Sequence, residues 1–151
     1  MAANHTSQPA TLLRRLAAIG YDALLLIGIE MLAAALWLPL FADQPIESHP
    51  LRHLYQLFLL LVMAAFFIGF WWHDGQTLGM RAWHLRLQSQ DGKPPSMRQL
   101  IIRLVVALLS WAAGGLGYLW SLFDPQRRTW HDLVSGTQIL YEAKASKSQN
   151  Q

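Results

Sequence analysis

Cysteine is absent from the 151 residues. That excludes disulfides, thiolate metal sites, iron–sulfur clusters and cysteine nucleophiles. Charge is scarce as well, at 14% Asp, Glu, Lys and Arg against about 25% in an ordinary soluble domain. The sequence has no HExxH and no GxSxG, and Gly114-Gly115-Leu116-Gly117 lacks the Lys-Ser/Thr that completes a phosphate loop. An enzyme is therefore not expected, and no cofactor is expected either. Of His5, His49, His53, His73, His84 and His131, only His49 and His53 have a helical ligand spacing, so no metal site is expected. What is plentiful is apolar surface, at 53% of the residues, a balance opposite to that of a disordered chain.

The apolar residues lie in three blocks, residues 16–40, 54–72 and 104–123. The first carries only Asp22 and Glu30, the second has Gln56 as its strongly polar member, and the third has no charge. At ~1.5 Å per residue the first is ~37 Å long, enough to cross a ~30 Å hydrocarbon core with tilt. A soluble helix shows a polar face every turn, and residues 57–67 show none. The expected fold is an all-α membrane protein of three hydrophobic helical segments. Trp37, Trp71, Trp72 and Trp120 stand near block ends, where indole anchors at the interface. The first block is too long for a signal peptide and holds two carboxylates, so it is expected to stay in the mature chain. Residues 1–11 and 142–151 read as polar tails around a membrane domain at 12–141.

Basic residues set orientation. The N-terminal tail has Arg14 and Arg15, the first loop Arg52, the second loop Arg81, Arg86, Lys93, Arg98 and Arg103, and the C-terminal part Arg127, Arg128, Lys144 and Lys147. The N-terminus and second loop are thus expected in the cytoplasm and the first loop outside. This placement also accounts for the pI of about 9.6 without nucleic acid. Three full crossings would put the C-terminal basic residues outside. A re-entrant third segment, broken at Gly114-Gly115-Leu116-Gly117, keeps them inside. A straight span that keeps its glycines for helix packing is the alternative. Residues 83–88 alternate apolar and polar, as a short strand does. Asp91-Gly92 marks a turn, and Lys93-Pro94-Pro95 prevents an immediate return strand. Residues 137–141 are the other strand-like run, and pairing the two as a short cytoplasmic β element needs both on one side.

A carboxylate inside a membrane segment needs a partner or an aqueous pocket. Asp22 follows Arg15 by seven residues, which puts both on one helix face within ~20° but about two turns apart. A partner from another segment suits them better than direct contact. Glu30 is offset from Asp22 by ~80° and lies nearer the centre of the block. One reading is a proton or cation relay from Arg15 through Asp22 to Glu30; the other is interhelical glue, with Glu30 facing a neighbour.

These features resemble the RDD family of small bacterial membrane proteins, named for one arginine and two aspartates. Arg15-Leu16-Ala17-Ala18-Ile19-Gly20-Tyr21-Asp22 has the family's first arginine and aspartate. Gly75-Gln76-Thr77-Leu78-Gly79-Met80-Arg81 is similar to its Gly-x-Thr-Leu-Gly stretch and following basic residue. Trp130-His131-Asp132-Leu133-Val134-Ser135-Gly136-Thr137 has the second aspartate in its His-Asp and Gly-Thr context. The resemblance spans residues 12–141, and Glu30 stands outside it. It implies a multi-pass protein of the bacterial cytoplasmic membrane, with transport suggested and cation/proton antiport proposed for some members.

The residues themselves leave two functions open. One is carriage of a small ion or solute by a homo-oligomer, since one copy has too few helices to enclose a path. The other is a non-transporting scaffold in the bilayer that binds a membrane or cytoplasmic partner. Arg15, Asp22, Glu30 and Asp132 are the polar candidates for either. Gly75, Thr77, Gly79, Arg81, His131, Gly136 and Thr137 support the motifs. Asp132 is expected near the cytoplasmic surface, capping a helix or meeting Arg81, Arg127 or Arg128.

Overall fold

The computed structural model describes residues 7–42, 45–46 and 48–142. His5, Lys144 and Lys147, weighed above, lie outside the described residues. In chain order the elements are β1 (Ser7–Pro9), α1 (Leu12–Ala35), α2 (Arg52–His73), α3 (Leu78–Ala82), β2 (Leu85–Ser89), α4 (Met97–Ala112), α5 (Leu116–Leu119), α6 (Trp130–Ser135) and β3 (Thr137–Glu142). Short 3-10 turns at Leu38–Phe41 and Trp120–Leu122 follow α1 and α5. The architecture is mostly helical, with one small sheet.

The helices α1 and α2 are long and apolar enough to cross a membrane. Their flanks are open: Leu24 and Leu32 are each 73% exposed, which in water would be a large unburied apolar face. The first apolar block does not run as one helix to its end. It stops at Ala35, and Trp37 then packs on Phe41, Tyr55 and Phe58 at the α1–α2 corner. Trp72 and Trp120 are exposed, but Trp71 is not the interface anchor its position suggested. It is buried in the core and its ring faces the Arg103 guanidinium at 5.4 Å.

The third block is not a straight span. Residues 97–112 and 116–122 meet at a bend of 107°, at Gly114 (φ +69°) and Gly115 (φ +81°). Both angles lie in the left-handed region, where a side chain is strained. The helix α4 also starts earlier than the apolar block. Ser96 and Gln99 form a reciprocal capping box, so Arg98 and Arg103 are helical residues rather than loop residues.

The sheet has the order β1-β3-β2, with both pairings antiparallel. β2 pairs with β3 in the register Leu85↔Tyr141, Leu87↔Ile139 and Ser89↔Thr137. Alternation puts Leu85, Leu87 and Ser89 inward. Trp83 lies outside the strand, because His84 turns the backbone at φ 55°. The N-terminal segment read as a polar tail contributes β1, whose Ser7, Gln8 and Pro9 face Glu142, Tyr141 and Leu140. Behind it, Ala10 is fully buried. Glu142, assigned above to the other tail, ends β3 and accepts from Arg86 Nε at 2.5 Å. Arg14 lies 3.6 Å over the Tyr141 ring and fixes the start of α1 to the sheet.

The sheet thus joins the segment before α1, the segment after α2 and the segment after α6. The core lies against it and unites Ala18 of α1, Trp71 of α2, Met80 of α3, Leu100 and Leu104 of α4, and Leu85, Leu87 and Ile139 of the strands.

Candidate functional site: a buried charge cluster beside a cavity

The short helix α6 is entered at Thr129, whose N–H donates to the Asp132 carboxylate at 3.1 Å. It ends at Gly136 in the left-handed conformation (φ 65°). The chain turns there into β3, so Thr137 opens the strand directly beside Asp132. Asp132 is fully buried. Its Oδ2 pairs with Arg15 Nη1, and its Oδ1 accepts from Arg103 Nη1 at 2.5 Å. Arg103 Nη1 also donates to Thr137 Oγ1 at 2.8 Å, and Arg15 Nε to the Ala10 carbonyl at 3.3 Å. One carboxylate therefore joins α1, α4 and α6, across 117 residues of sequence in the case of Arg15.

The expectation of a surface Asp132 meeting Arg81, Arg127 or Arg128 is corrected here. Arg81 pairs with Asp74 and Arg128 with Asp124. Arg127 caps a turn through its own N–H to the Asp124 carbonyl. The capping role does hold, through Thr129. Burial alone would push the Asp132 carboxyl up, but the Arg103 and Arg15 guanidiniums outweigh it and hold the group well below the usual carboxylate range. His131 is buried beside it, 4.8 Å from the Tyr118 ring, with Nε2 2.8 Å from the Thr129 hydroxyl. Burial, and then the Arg103 cation, lower its pKa to about 3, so the imidazole is neutral at ordinary pH.

Asp22 has a separate set of partners. Its Oδ2 accepts from the Thr77 hydroxyl at 2.5 Å and its Oδ1 from the Gly79 N–H at 2.8 Å. These groups form the N-terminus of α3, which Thr77 also caps by accepting from Met80 N–H at 3.1 Å. Helix N-termini favour a carboxylate. The Gly-x-Thr-Leu-Gly stretch follows from this geometry. Gly75 supplies a left-handed turn (φ +66°) after α2. Gly79 passes so close to α1 that an added Cβ would press on the Ala18 carbonyl and sit 2.8 Å from Asp22 Cγ.

Glu30 has neither arrangement. It lies well along α1, in a shallow apolar groove with Ala34 and Leu59, and its Oε2 is a buried acceptor with no partner among the described residues. Arg15, Asp22 and Glu30 thus share a helix but do not form a connected chain of contacts. No direct contact links the three among the described residues: Arg15 goes to Asp132, and Asp22 goes to α3. Arg103 was missed because it was counted as a loop cation. The Ser96–Gln99 capping signature, followed to its consequence, places Arg103 two turns inside α4 on the face of Leu100 and Leu104.

Between these groups lies a cavity of about 310 Å³. Arg15, Arg103 and His131, which gather around Asp132, line it together with Asp22 and Thr77, and its apolar walls include Ile19, Leu26, Phe67, Leu104 and Leu108. Trp71 and His131 are among the lining residues, and Trp71 Nε1 and His131 Nδ1 are both buried and unpartnered among the described residues.

The three defining residues, the Gly-Thr-Gly stretch that receives the first aspartate and the long apolar helices together describe a small RDD-type membrane protein. The comparison of sequences agrees: residues 9–136 match the RDD family, and the chain belongs to it. It is 28% identical over 137 positions to the uncharacterized protein YckC of Bacillus subtilis strain 168, covering 78% of this chain and 90% of that protein. It is also 30% identical over 84 positions to the uncharacterized protein RP437 of Rickettsia prowazekii strain Madrid E, covering 54% of this chain and 45% of that one. No solved structure matches.

Proposed function

We propose that the protein lies in the bacterial cytoplasmic membrane with its sheet on the cytoplasmic side, and that, as a homo-oligomer, it binds and carries a small solute through the cavity. The observation behind carriage is that cavity, lined by two buried guanidiniums, a buried imidazole and the Asp22 carboxylate as well as by apolar side chains. The sheet supports the topology. β1 precedes α1, β2 follows α2 and β3 follows the bent third segment, so each stretch between strands returns to one side. Two crossings by α1 and α2 and a re-entrant third segment meet this condition. The basic residues Arg81, Arg86, Lys93, Arg98, Arg127 and Arg128 then fall on the positive side. The open apolar flanks of α1 face lipid or a second copy.

The narrower form of carriage, cation/proton exchange, calls on Asp22 and Glu30. Asp22 has both oxygens engaged, so Glu30 is the carboxylate with capacity left for that role. A non-transporting scaffold is the second reading. Its support is that Arg15, Asp22 and Asp132 all have protein partners already.

The test is reconstitution into vesicles with an imposed pH gradient, followed during addition of Na⁺, K⁺, Li⁺, small carboxylates and phosphate. Wild type is compared with Ala107→Phe, which fills the cavity, and with Asp22→Asn and Glu30→Gln. Carriage predicts a solute-dependent signal that Ala107→Phe abolishes. Silence across the panel in sealed vesicles contradicts it and leaves the scaffold. A cysteine introduced at Ser146 tests the side of the C-terminus: an impermeant thiol reagent should not label it in intact cells, and labelling would overturn the topology.

A further inference from the structure

We propose that the cavity is a binding site for an anionic amphiphile, an oxyanion carried on an alkyl chain, with the oxyanion at the Arg15–Arg103 end and the chain along α1 and α4. This rests on reading the cavity as the solute site and names the class of solute. The polar end is rich in unused donors. Two guanidiniums share one carboxylate, so the Arg15–Asp132–Arg103 cluster keeps a net positive charge. Arg103 engages the protein through Nη1 and Arg15 through Nε and Nη1. The five N–H donors of each guanidinium are therefore not all used among the described residues. Trp71 also lines the cavity, and its Nε1–H, a donor only, is buried without a partner among the described residues. His131 Nδ1 is likewise buried and unpartnered among the described residues, with Nε2 2.8 Å from the Thr129 hydroxyl, and in the Nδ1–H tautomer it adds a further donor.

Acceptors are few. Asp22 borders the cavity with its oxygens already on Thr77 and Gly79, and Asp132 is closed off by its two arginines. Charge-assisted bonds from guanidinium to carboxylate or phosphate are the strong ones. At the Arg15–Asp132–Arg103 cluster itself a cation would meet the wrong sign, while the Asp22 carboxylate in the lining is taken up by Thr77 and Gly79. The walls, with Ile19, Leu26, Phe67 and Leu108, offer nothing to a hydrated inorganic anion and suit methylene groups. A volume of about 310 Å³ holds on the order of ten water-sized or methylene-sized groups. That fits a medium-chain carboxylate, or the headgroup oxyanion and first acyl carbons of an anionic phospholipid.

The full chain in an uncharged maltoside detergent, stripped of lipid, is dialysed to equilibrium against radiolabelled decanoate. Decyl phosphate should compete at least as well as decanoate, while decanol and decyltrimethylammonium should compete tenfold or more less well. Ala107→Phe should lose binding at least tenfold with an unchanged thermal midpoint, which keeps the test valid if Arg103→Gln fails to fold. Trp71→Phe keeps the ring and removes one donor, and should weaken decanoate several-fold while leaving decanol unmoved. Equal competition by decanol or by the cation would overturn the proposal, as would full binding by Ala107→Phe. Native mass spectrometry after reconstitution distinguishes the sources. One phosphatidylglycerol retained per chain and expelled by decanoate assigns a lipid. Decanoate binding with no retained phosphatidylglycerol assigns a free amphiphile. Binding here with silent vesicles would contradict carriage and leave the ligand class standing. Cation-dependent flux with no decanoate binding would do the reverse.

Discussion

Asp22 and Glu30 lie eight residues apart on one helix and meet opposite surroundings. Asp22 is buried and has a hydroxyl on one oxygen and a backbone N–H on the other. Glu30 lies among apolar side chains with an oxygen that nothing in the described structure satisfies. Asp132, far away in sequence, resembles Asp22 in being fully enclosed by its partners. The difference is that Asp132 has two cations and Asp22 has none. A carboxylate in an apolar setting is thus accommodated in two ways at the sheet end of the bundle and left unaccommodated further along α1. The sheet end is where the chain fixes its tertiary structure. The outer part of α1 carries little that its own fold requires.

The comparison can be broken by mutation. Asp132→Ala leaves two buried guanidiniums without their shared carboxylate and should cost about 3–5 kcal/mol, read as a loss of folded yield or a large drop in thermal midpoint in detergent. Gly79→Ala should come next, at about 1–3 kcal/mol, because the methyl meets the Ala18 backbone and the Asp22 carboxyl rather than a flexible side chain. Asp22→Ala unpairs one hydroxyl and one N–H and should cost about 1–3 kcal/mol. Glu30→Gln should change stability by no more than about 0.5 kcal/mol. A loss at Glu30 equal to that at Asp22 would erase the distinction between them.

Acid provides a further probe of the sheet end. His131 is held neutral when folded, with a pKa of about 3, but titrates near 6.5 when unfolded. Between these values the unfolded chain binds one more proton, so stability is intact above about pH 6.5 and falls as pH drops toward 3. The slope should approach about 1.4 kcal/mol per pH unit. His131→Phe should remove that slope. Asp132, with its folded pKa depressed, adds a second loss only below the ordinary carboxylate range. A midpoint flat from pH 7 to 4.5 in wild type would contradict a neutral buried His131.

Much of this architecture was legible in the chain. The two long apolar runs, the glycine break in the third block and the strand character of residues 85–88 and 137–141 each followed from local pattern, because hydrophobic period and turn chemistry act within a few residues. The pairing of Arg15 with Asp132 did not follow. Helical geometry places Arg15 and Asp22 on one face, but only the folded sheet brings α6 to the start of α1. Arg103 was hidden for the same reason in reverse: its charge suggested a loop, while burial beside Asp132 let it sit within a core helix. Ser7–Pro9 read as tail because three residues carry no period, and their order comes entirely from the β3 edge they meet. The Thr77 cap on α3 was local and legible as a turn, but its use as a receptor for Asp22 depends on how α3 docks against α1.

Arg15 and Asp132 join the first helix to α6. A double-mutant cycle with Arg15→Gln, Asp132→Asn and the double variant, each unfolded reversibly in the same detergent, measures that link directly. The structure predicts a coupling free energy in the upper part of the roughly 0.5–3 kcal/mol range found for contacting residues. Effects that simply add, to within about 0.3–0.5 kcal/mol, would contradict it.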